Sequence, residues 1–192
     1  MKKWMIFLLL IWIVGCGAAA RQYVGPVKDD VAMTAPARQL ALSYYMVNYH
    51  VTAASLAVSG NMVMADIDNP TIKIDALNAK EYKQRMENRQ KVYDEAIRKR
   101  GFANIKGEYD TKINSSCQNI MIYGGPTTIE QSEYKIVFKN GPVKHRGVIV
   151  ENYLGIEHFA LSPEVYLVGE IKGNNIQIEH LPSGCVMELT KK

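Results

Sequence analysis

The feature that most constrains the fold is a series of short β-prone segments, separated by turn signals, from residue 105 onwards. Asn140-Gly141 is a strong turn pair, and Gly173-Asn174-Asn175 separates two segments as a hairpin turn would. The segments cover residues 107–113, 127–139, 147–152, 155–159, 165–171, 176–180 and 186–189, the second being either two strands or one bent strand. About seven to eight short strands predict an antiparallel β-sandwich or small β-barrel over residues 102–192.

Two helices are predicted ahead of this domain, in a helical region of residues 38–101, which makes the fold class α+β. Residues 38–59 carry an apolar stripe at alternating spacings of four and three, typical of a helix face. Their Tyr44-Tyr45-Met46-Val47 stretch favours a strand by propensity, which stays open as the alternative. The second helix covers residues 78–100, where Asn78 and Glu81 resemble a capping box and Gly101 ends the helix.

The first 16 residues read MKKWMIFLLLIWIVGC, two lysines followed by 11 uncharged residues. The apolar run suits a secretory signal peptide and is too short for a bilayer span, which needs about 20 residues. Its end, Ile13-Val14-Gly15-Cys16, resembles the lipobox of bacterial lipoproteins. The resemblance implies cleavage of residues 1–15, acyl chains on Cys16 and attachment to an envelope membrane. An uncleaved N-terminal helix is the alternative.

The residues after Cys16 extend this expectation. Gly17 stands where enteric lipoproteins carry an Asp retention signal, so it resembles the default route to the periplasmic face of the outer membrane. Residues 16–37 mix small residues, Gly25-Pro26 and Pro36 without an apolar period, which predicts a flexible tether behind the lipidated cysteine.

Cys117 and Cys185 are the two cysteines left once Cys16 is assigned to lipid. In an exported protein such a pair is usually oxidised. A disulfide would staple both ends of the β domain across a loop of about 68 residues, for which loop entropy gives about 4 kcal/mol. Zinc ligation and a catalytic thiol are the alternatives, although the histidines lack a spacing such as HxxxH and Cys117 lies in no familiar nucleophile motif.

The charge of the chain argues against a nucleic-acid partner. The formal net charge is +4, and it falls to about +2 when Lys2 and Lys3 leave with the signal peptide. Nucleic-acid-binding proteins usually carry a concentrated basic stripe, which this sequence lacks. Hydrophobic residues make up 47% of the chain, enough for a buried core.

The search for catalytic chemistry finds no GxSxG, HExxH, phosphate-loop or GxGxxG motif. Asp66, Asp68 and Asp75 could suggest a calcium loop, but Pro70 and the missing Gly-then-Glu pattern break an EF-hand. A solvated turn is the simpler interpretation, and no metal or cofactor is expected.

Other titratable residues are candidate functional residues, although their spacing forms no recognised motif. The four histidines are expected to lie on the surface or to be hydrogen-bonded individually, and three glutamates of the β domain could supply a carboxylate pair. These residues are His50, His145, His158, His180, Glu130, Glu133 and Glu151.

Tyrosine is the dominant aromatic residue, with 11 copies against four Phe and two Trp. Tyr44, Tyr45 and Tyr49 cannot all share one helical face, so some must be exposed, pack on the β domain or meet a partner. Because tyrosine is enriched in binding surfaces, these three form a candidate partner surface, with ordinary packing between elements as the alternative.

Three functional hypotheses follow. The first is a non-enzymatic envelope lipoprotein, with a binding or structural module whose partner is another envelope protein or peptidoglycan. The second is a carrier that holds a small apolar ligand inside a β-barrel, which requires an open rather than a filled interior. The third is an enzyme whose site is a concave cluster of His, Glu or Tyr with displaced pKa values. The sequence leaves the oligomeric state open.

Overall fold

The computed structural model describes residues 26–117, 122–157, 166–180 and 183–192. The expected signal peptide, Cys16, the first part of the tether and His158 lie outside the described residues. Within those residues the fold is α+β, with two long helices followed by a closed eight-stranded antiparallel barrel. Of the two architectures expected from the strand pattern, the chain adopts the barrel.

The helices are α1 (Ala37–Val58) and α2 (Ala79–Arg100), and a hairpin between them pairs β1 (Met64–Ala65) with β2 (Lys73–Ile74). The helices run antiparallel, since Asn48 bonds Gln90 (3.2 Å) while His50, further along α1, contacts Tyr82, earlier in α2. The helical interpretation of residues 38–59 is confirmed. Burial of the apolar stripe outweighs the strand propensity of the tyrosine-rich stretch.

The two ends of α2 differ in how well they were predicted. Asn78 precedes the helix, but its side chain makes no capping bond. Instead its Oδ1 accepts from the Asp75 N–H (3.0 Å) and its Nδ2 donates to the Lys73 carbonyl (2.9 Å), closing the turn before the helix. The predicted capping box is therefore wrong. At the other end Gly101, with φ of +85°, donates to the Ile97 carbonyl and ends the helix as predicted.

Residues 26–36, the described part of the expected tether, lie against the helices. The Val27 N–H donates to the Ser43 hydroxyl (3.0 Å), and the Val27 carbonyl accepts from the Tyr93 hydroxyl. Val27 and Ala32 are buried. The described chain therefore begins between the middle parts of α1 and α2, held by both.

The barrel is a meander in which each strand pairs with the next along the chain and the last closes on the first. The long run 127–139 proves to be parts of two strands joined by a tight turn at Glu133-Tyr134. The strands are β3 (Gly107–Ile113), β4 (Gly125–Ser132), β5 (Lys135–Asn140), β6 (Val143–Val150), β7 (Tyr153–Glu157), β8 (Tyr166–Lys172), β9 (Asn175–His180) and β10 (Cys185–Lys191).

Apolar side chains fill the inside of the barrel. Isoleucine and leucine side chains from most of the strands form one buried cluster with Phe138 and Met187. Two inward positions are glycines because a larger residue has no room. A Cβ at Gly147 would lie 2.6 Å from the Ile136 side chain, and one at Gly169 would lie 2.8 Å from that of Leu154. Buried side chains therefore occupy the described interior.

A disulfide joins Cys117, in a short 3-10 turn after β3, to Cys185 at the start of β10 (S–S 2.01 Å). The predicted bridge is confirmed. Because β3 and β10 are the two strands that close the barrel, the bridge lies at one end of the closing ladder.

The helix pair packs on the outside of the barrel, with α1 on β6, β7 and β8. Gly155 in β7 permits the close approach, since a Cβ there would overlap the Ala41 carbonyl oxygen. Beyond Ala41, α1 continues for about 25 Å, whereas β7 continues for about 7 Å beyond Gly155. Counted from this contact, α1 is therefore longer than the described part of β7. Among the described helices, none is long and apolar enough to cross a membrane.

Candidate interaction surface

Most of α1 and the start of the hairpin form a long stretch of chain without charge. Residues 39–65 contain no Asp, Glu, Lys or Arg, although many of them are exposed. On α2, by contrast, seven of the nine exposed residues are charged. The nine exposed residues are Lys80, Glu81, Gln84, Arg85, Asn88, Lys91, Glu95, Arg98 and Lys99. Two helices of one pair thus present different surfaces.

We define the uncharged tip as a set of exposed uncharged residues at the end of the helix pair that carries the β1–β2 hairpin, where Asp68 and Lys73 of the hairpin are exposed as well. Leu77 is 94% exposed and Val63 is 61% exposed. The tip consists of Thr52, Ser55, Leu56, Val58, Ser59, Gly60, Asn61, Val63, Ala65, Ile72 and Leu77. The sequence prediction did not single out this surface, and the signal that could have found it is the charge-free run.

The three hydroxyl groups of the tip each donate a hydrogen bond to a backbone carbonyl of α1. Thr52 donates to the Asn48 carbonyl (3.1 Å), Ser55 to the Val51 carbonyl (2.9 Å) and Ser59 to the Leu56 carbonyl (2.7 Å). A hydroxyl that bonds back to its own helix does not depend on water for a partner. The tip can therefore enter an apolar environment without leaving these donors unsatisfied.

Leu77 is exposed because its usual partner is occupied elsewhere. A hydrophobic residue just before a helix often packs against the fourth helical residue, here Tyr82. The Tyr82 ring instead faces the core, where its hydroxyl contacts His50 Nδ1 (2.6 Å) and accepts from the Ile67 N–H (3.0 Å). Leu77 is left with almost no contact to the rest of the fold.

A network of paired charges holds the hairpin beside the tip. Arg89, itself buried, donates to both carboxylate oxygens of Asp68 (2.9 Å each) and to Asp29 (2.7 Å). Arg85 pairs with the buried Asp66, whose Oδ1 also accepts from the Asp68 and Asn69 N–H groups. Although burial opposes it, these bonds hold the pKa of Asp66 below its usual value.

This network replaces the solvated turn expected for Asp66, Asp68 and Asp75. The segment is a turn, but Asp66 is buried and arginines neutralise the first two carboxylates. Asp75 accepts from the Leu77 N–H (2.9 Å). Among the described residues, no group of three or more His, Cys, Asp or Glu is placed to hold a metal ion.

His50 lies inside the helix pair rather than at its surface. Burial lowers its pKa from 6.5 to about 4, although Asp66 and Asp68 oppose the shift. The ring is therefore neutral near pH 7. Because Tyr82 accepts from the Ile67 amide, its own proton is available for Nδ1 of His50, and burial raises the pKa of Tyr82 to about 12.

The three tyrosines of the candidate partner surface lie mainly between elements. Tyr44 is buried, with edge-to-face contacts to Tyr45 (centroids 5.5 Å apart) and to Tyr134 of the barrel (6.5 Å). Tyr45 and Tyr49 are partly buried and pack against the same core. Packing between elements explains Tyr44, and a partner contact stays a prediction for Tyr45 and Tyr49.

The barrel histidines lie apart from this region. His145 Nδ1 contacts the Glu157 carbonyl (3.1 Å), and His180 Nδ1 contacts the Ser183 hydroxyl (2.7 Å). Both are buried at the barrel end that carries the disulfide. Near them Thr111, Thr127 and Asn140 form a hydrogen-bonded group inside the same end.

The three glutamates singled out in the sequence are each paired with a cation. Glu130 binds Lys139, Glu133 lies 3.7 Å from Arg98, and Glu151 lies 2.6 Å from Arg100. The structure therefore places them as separate ion pairs.

Comparison of the chain with protein-family models, with characterised proteins and with solved structures finds no match.

Proposed function

We propose that this chain is a lipid-anchored protein of the bacterial cell envelope whose helix–barrel body is a non-enzymatic binding or structural module. The lipobox-type sequence ending at Cys16 supports the anchor. The Cys117–Cys185 disulfide fits an exported protein, because such bridges persist in oxidising compartments.

The observation that carries the binding role is the uncharged tip. Its exposed leucine, valine and isoleucine side chains lie beside hydroxyls that are already hydrogen-bonded. The free energy falls when such a surface leaves water, and few polar groups have to be desolvated. Both properties favour docking to a partner. Its partner is an envelope component, with another envelope protein, peptidoglycan and the membrane as the classes to compare.

The packed barrel interior gives the ligand-carrier hypothesis less support than the tip gives to docking. At two inward glycines even a Cβ would collide with a neighbouring side chain, and the apolar side chains around them are buried. We therefore assign the barrel the role of a rigid platform for the helix pair.

The anchor is tested by expressing the full chain and a Cys16→Ala variant in a bacterial host. We expect the wild type to float with membranes and its N-terminal peptide to begin at an acylated Cys16, while the variant stays unprocessed. Retention of Met1 to Gly15 without acylation would instead identify an uncleaved helix, and the proposed function would fail.

A further inference from the structure

We propose that the uncharged tip inserts into the headgroup–acyl boundary of the same membrane that holds the acyl chains on Cys16. The inference rests on the proposed function and names the partner of its docking surface. It would give the protein two contacts with one bilayer, a covalent lipid at the N-terminus and a protein surface at the end of the helix pair.

The first step is reach. Val27 is fixed to Ser43 and Tyr93 in the middle of the helix pair. From Tyr93 to the start of α2 at Ala79 the helix rises about 21 Å. The residues from Cys16 to Val27 can span up to about 36 Å when extended. The lipid anchor and the tip can therefore lie in one membrane plane.

The second step is chemistry. Insertion requires that no uncompensated charge enters the apolar layer. Residues 51–65 carry none, and their three hydroxyl donors bond back to carbonyls of α1. Lys73 and Lys80 are exposed close to Leu77 in the chain, where they suit anionic headgroups, and the acids next to them are the exposed Glu81 and the half-buried Asp75, whose carboxylate accepts from the Leu77 N–H. Arginine side chains neutralise the nearby Asp66 and Asp68.

The third step is the choice of lipid over protein. Protein interfaces are enriched in exposed Tyr, Trp, Phe and Arg, which supply most of their binding energy. The uncharged tip contains no Tyr, Trp or Phe. A tethered surface also meets its membrane at high effective concentration, so modest apolar contact is enough to keep it inserted.

The test places an environment-sensitive dye on the tip of the mature, acylated protein. Cys117 and Cys185 are paired and Cys16 is acylated, so Leu77→Cys or Val63→Cys supplies one free thiol. Lys112→Cys, at an exposed position of β3, is the matched control. Each labelled protein is reconstituted into vesicles of phosphatidylethanolamine and phosphatidylglycerol that contain no other protein.

We expect the dye at positions 77 and 63 to emit at shorter wavelength than at position 112. Lipids spin-labelled high in the acyl chain should quench it roughly twofold more than at the control site. Leu77→Glu in the Val63→Cys background should abolish the difference. Since Leu77 is almost fully exposed, this change does not disturb the folded core.

Equal emission and quenching at all three positions, in protein whose acylation has been verified by mass, would overturn the inference. So would tip burial that occurs only when envelope proteins are added, since a protein partner would then cover the tip. Failure of the proposed function itself is recognised separately, by an N-terminal peptide without acyl chains.

Discussion

At the scale of single residues, the interior of the helix pair depends on polar groups that are buried with their partners. Arg89 holds Asp29 and Asp68, and Tyr82 joins His50 to the backbone of the hairpin. Burial of such groups is favourable only while each keeps its partner. The tip is therefore held in place by bonds whose strength depends on protonation state.

The neutral state of His50 makes a prediction about acid stability. Its folded pKa of about 4 lies below the unfolded value of 6.5, so the unfolded chain binds the proton more tightly. Stability is then complete above pH 6.5 and falls as the pH drops towards 4, by about 3 kcal/mol in total. The lowered pKa of Asp66 adds a loss that begins where the unfolded carboxyl starts to protonate, around its ordinary value of 3.8, and grows as the pH falls further.

Urea unfolding at pH 7.0, 5.5 and 4.5 measures this dependence, with His50→Gln as the control. The amide can still accept from Tyr82 but does not titrate. We expect the variant to lose most of the slope between pH 6.5 and 4. An unchanged slope would mean that other groups cause the acid sensitivity.

At the scale of elements, the sequence predicted what is encoded locally. The spacing of Leu40, Tyr44 and Val47 predicted α1, and Asn140-Gly141 predicted the turn between β5 and β6. The predicted cap at Asn78 is wrong because backbone groups of Lys73 and Asp75 compete for the same side chain. The local sequence pattern does not reveal which backbone groups that side chain will bind. The contact of α1 with Gly155 could not be predicted, since nothing in sequence spacing joins residues 41 and 155.

That contact predicts the effect of one methyl group. Gly155→Ala would push a Cβ into the Ala41 carbonyl. Because neither the Cβ nor the backbone carbonyl can rotate out of the way, α1 must shift. We expect a loss of about 3 kcal/mol in the free energy of unfolding, measured by urea denaturation. The core shared by Val148, Val150 and Tyr134 should become partly exposed.

Gly124→Ala is the matched control for this substitution. A Cβ at Gly124 would lie 3.5 Å from the Thr111 carbonyl oxygen, an ordinary contact. We expect it to change stability by less than about 1 kcal/mol. Equal losses in both variants would show that helix docking does not depend on the close approach at Gly155.

At the scale of the whole molecule, some properties of the fold could be predicted from the sequence and others could not. The number of strands and the cysteine pair were predicted, because turns and spacing mark them. Closure of the barrel was not distinguished from a sandwich, because it depends on pairing between β3 and β10, which are far apart in the chain. The uncharged tip required the fold as well, since only burial separates the exposed Leu56 and Val63 from the buried Ala57 and Met64.

The closing ladder leads to a prediction for the disulfide. Loss of the bridge by Cys117→Ala with Cys185→Ala should cost about 4 kcal/mol, because the unfolded chain regains the freedom of the closed loop. Reduction of the wild type should give the same loss, and amide exchange should accelerate first between β3 and β10. Those amides face each other from Ile113–Met187 to Tyr109–Lys191, and the bridge lies just beyond the first pair. If urea midpoints and exchange rates match those of the oxidised protein, the ladder closes the barrel unaided, and the bridge serves another purpose.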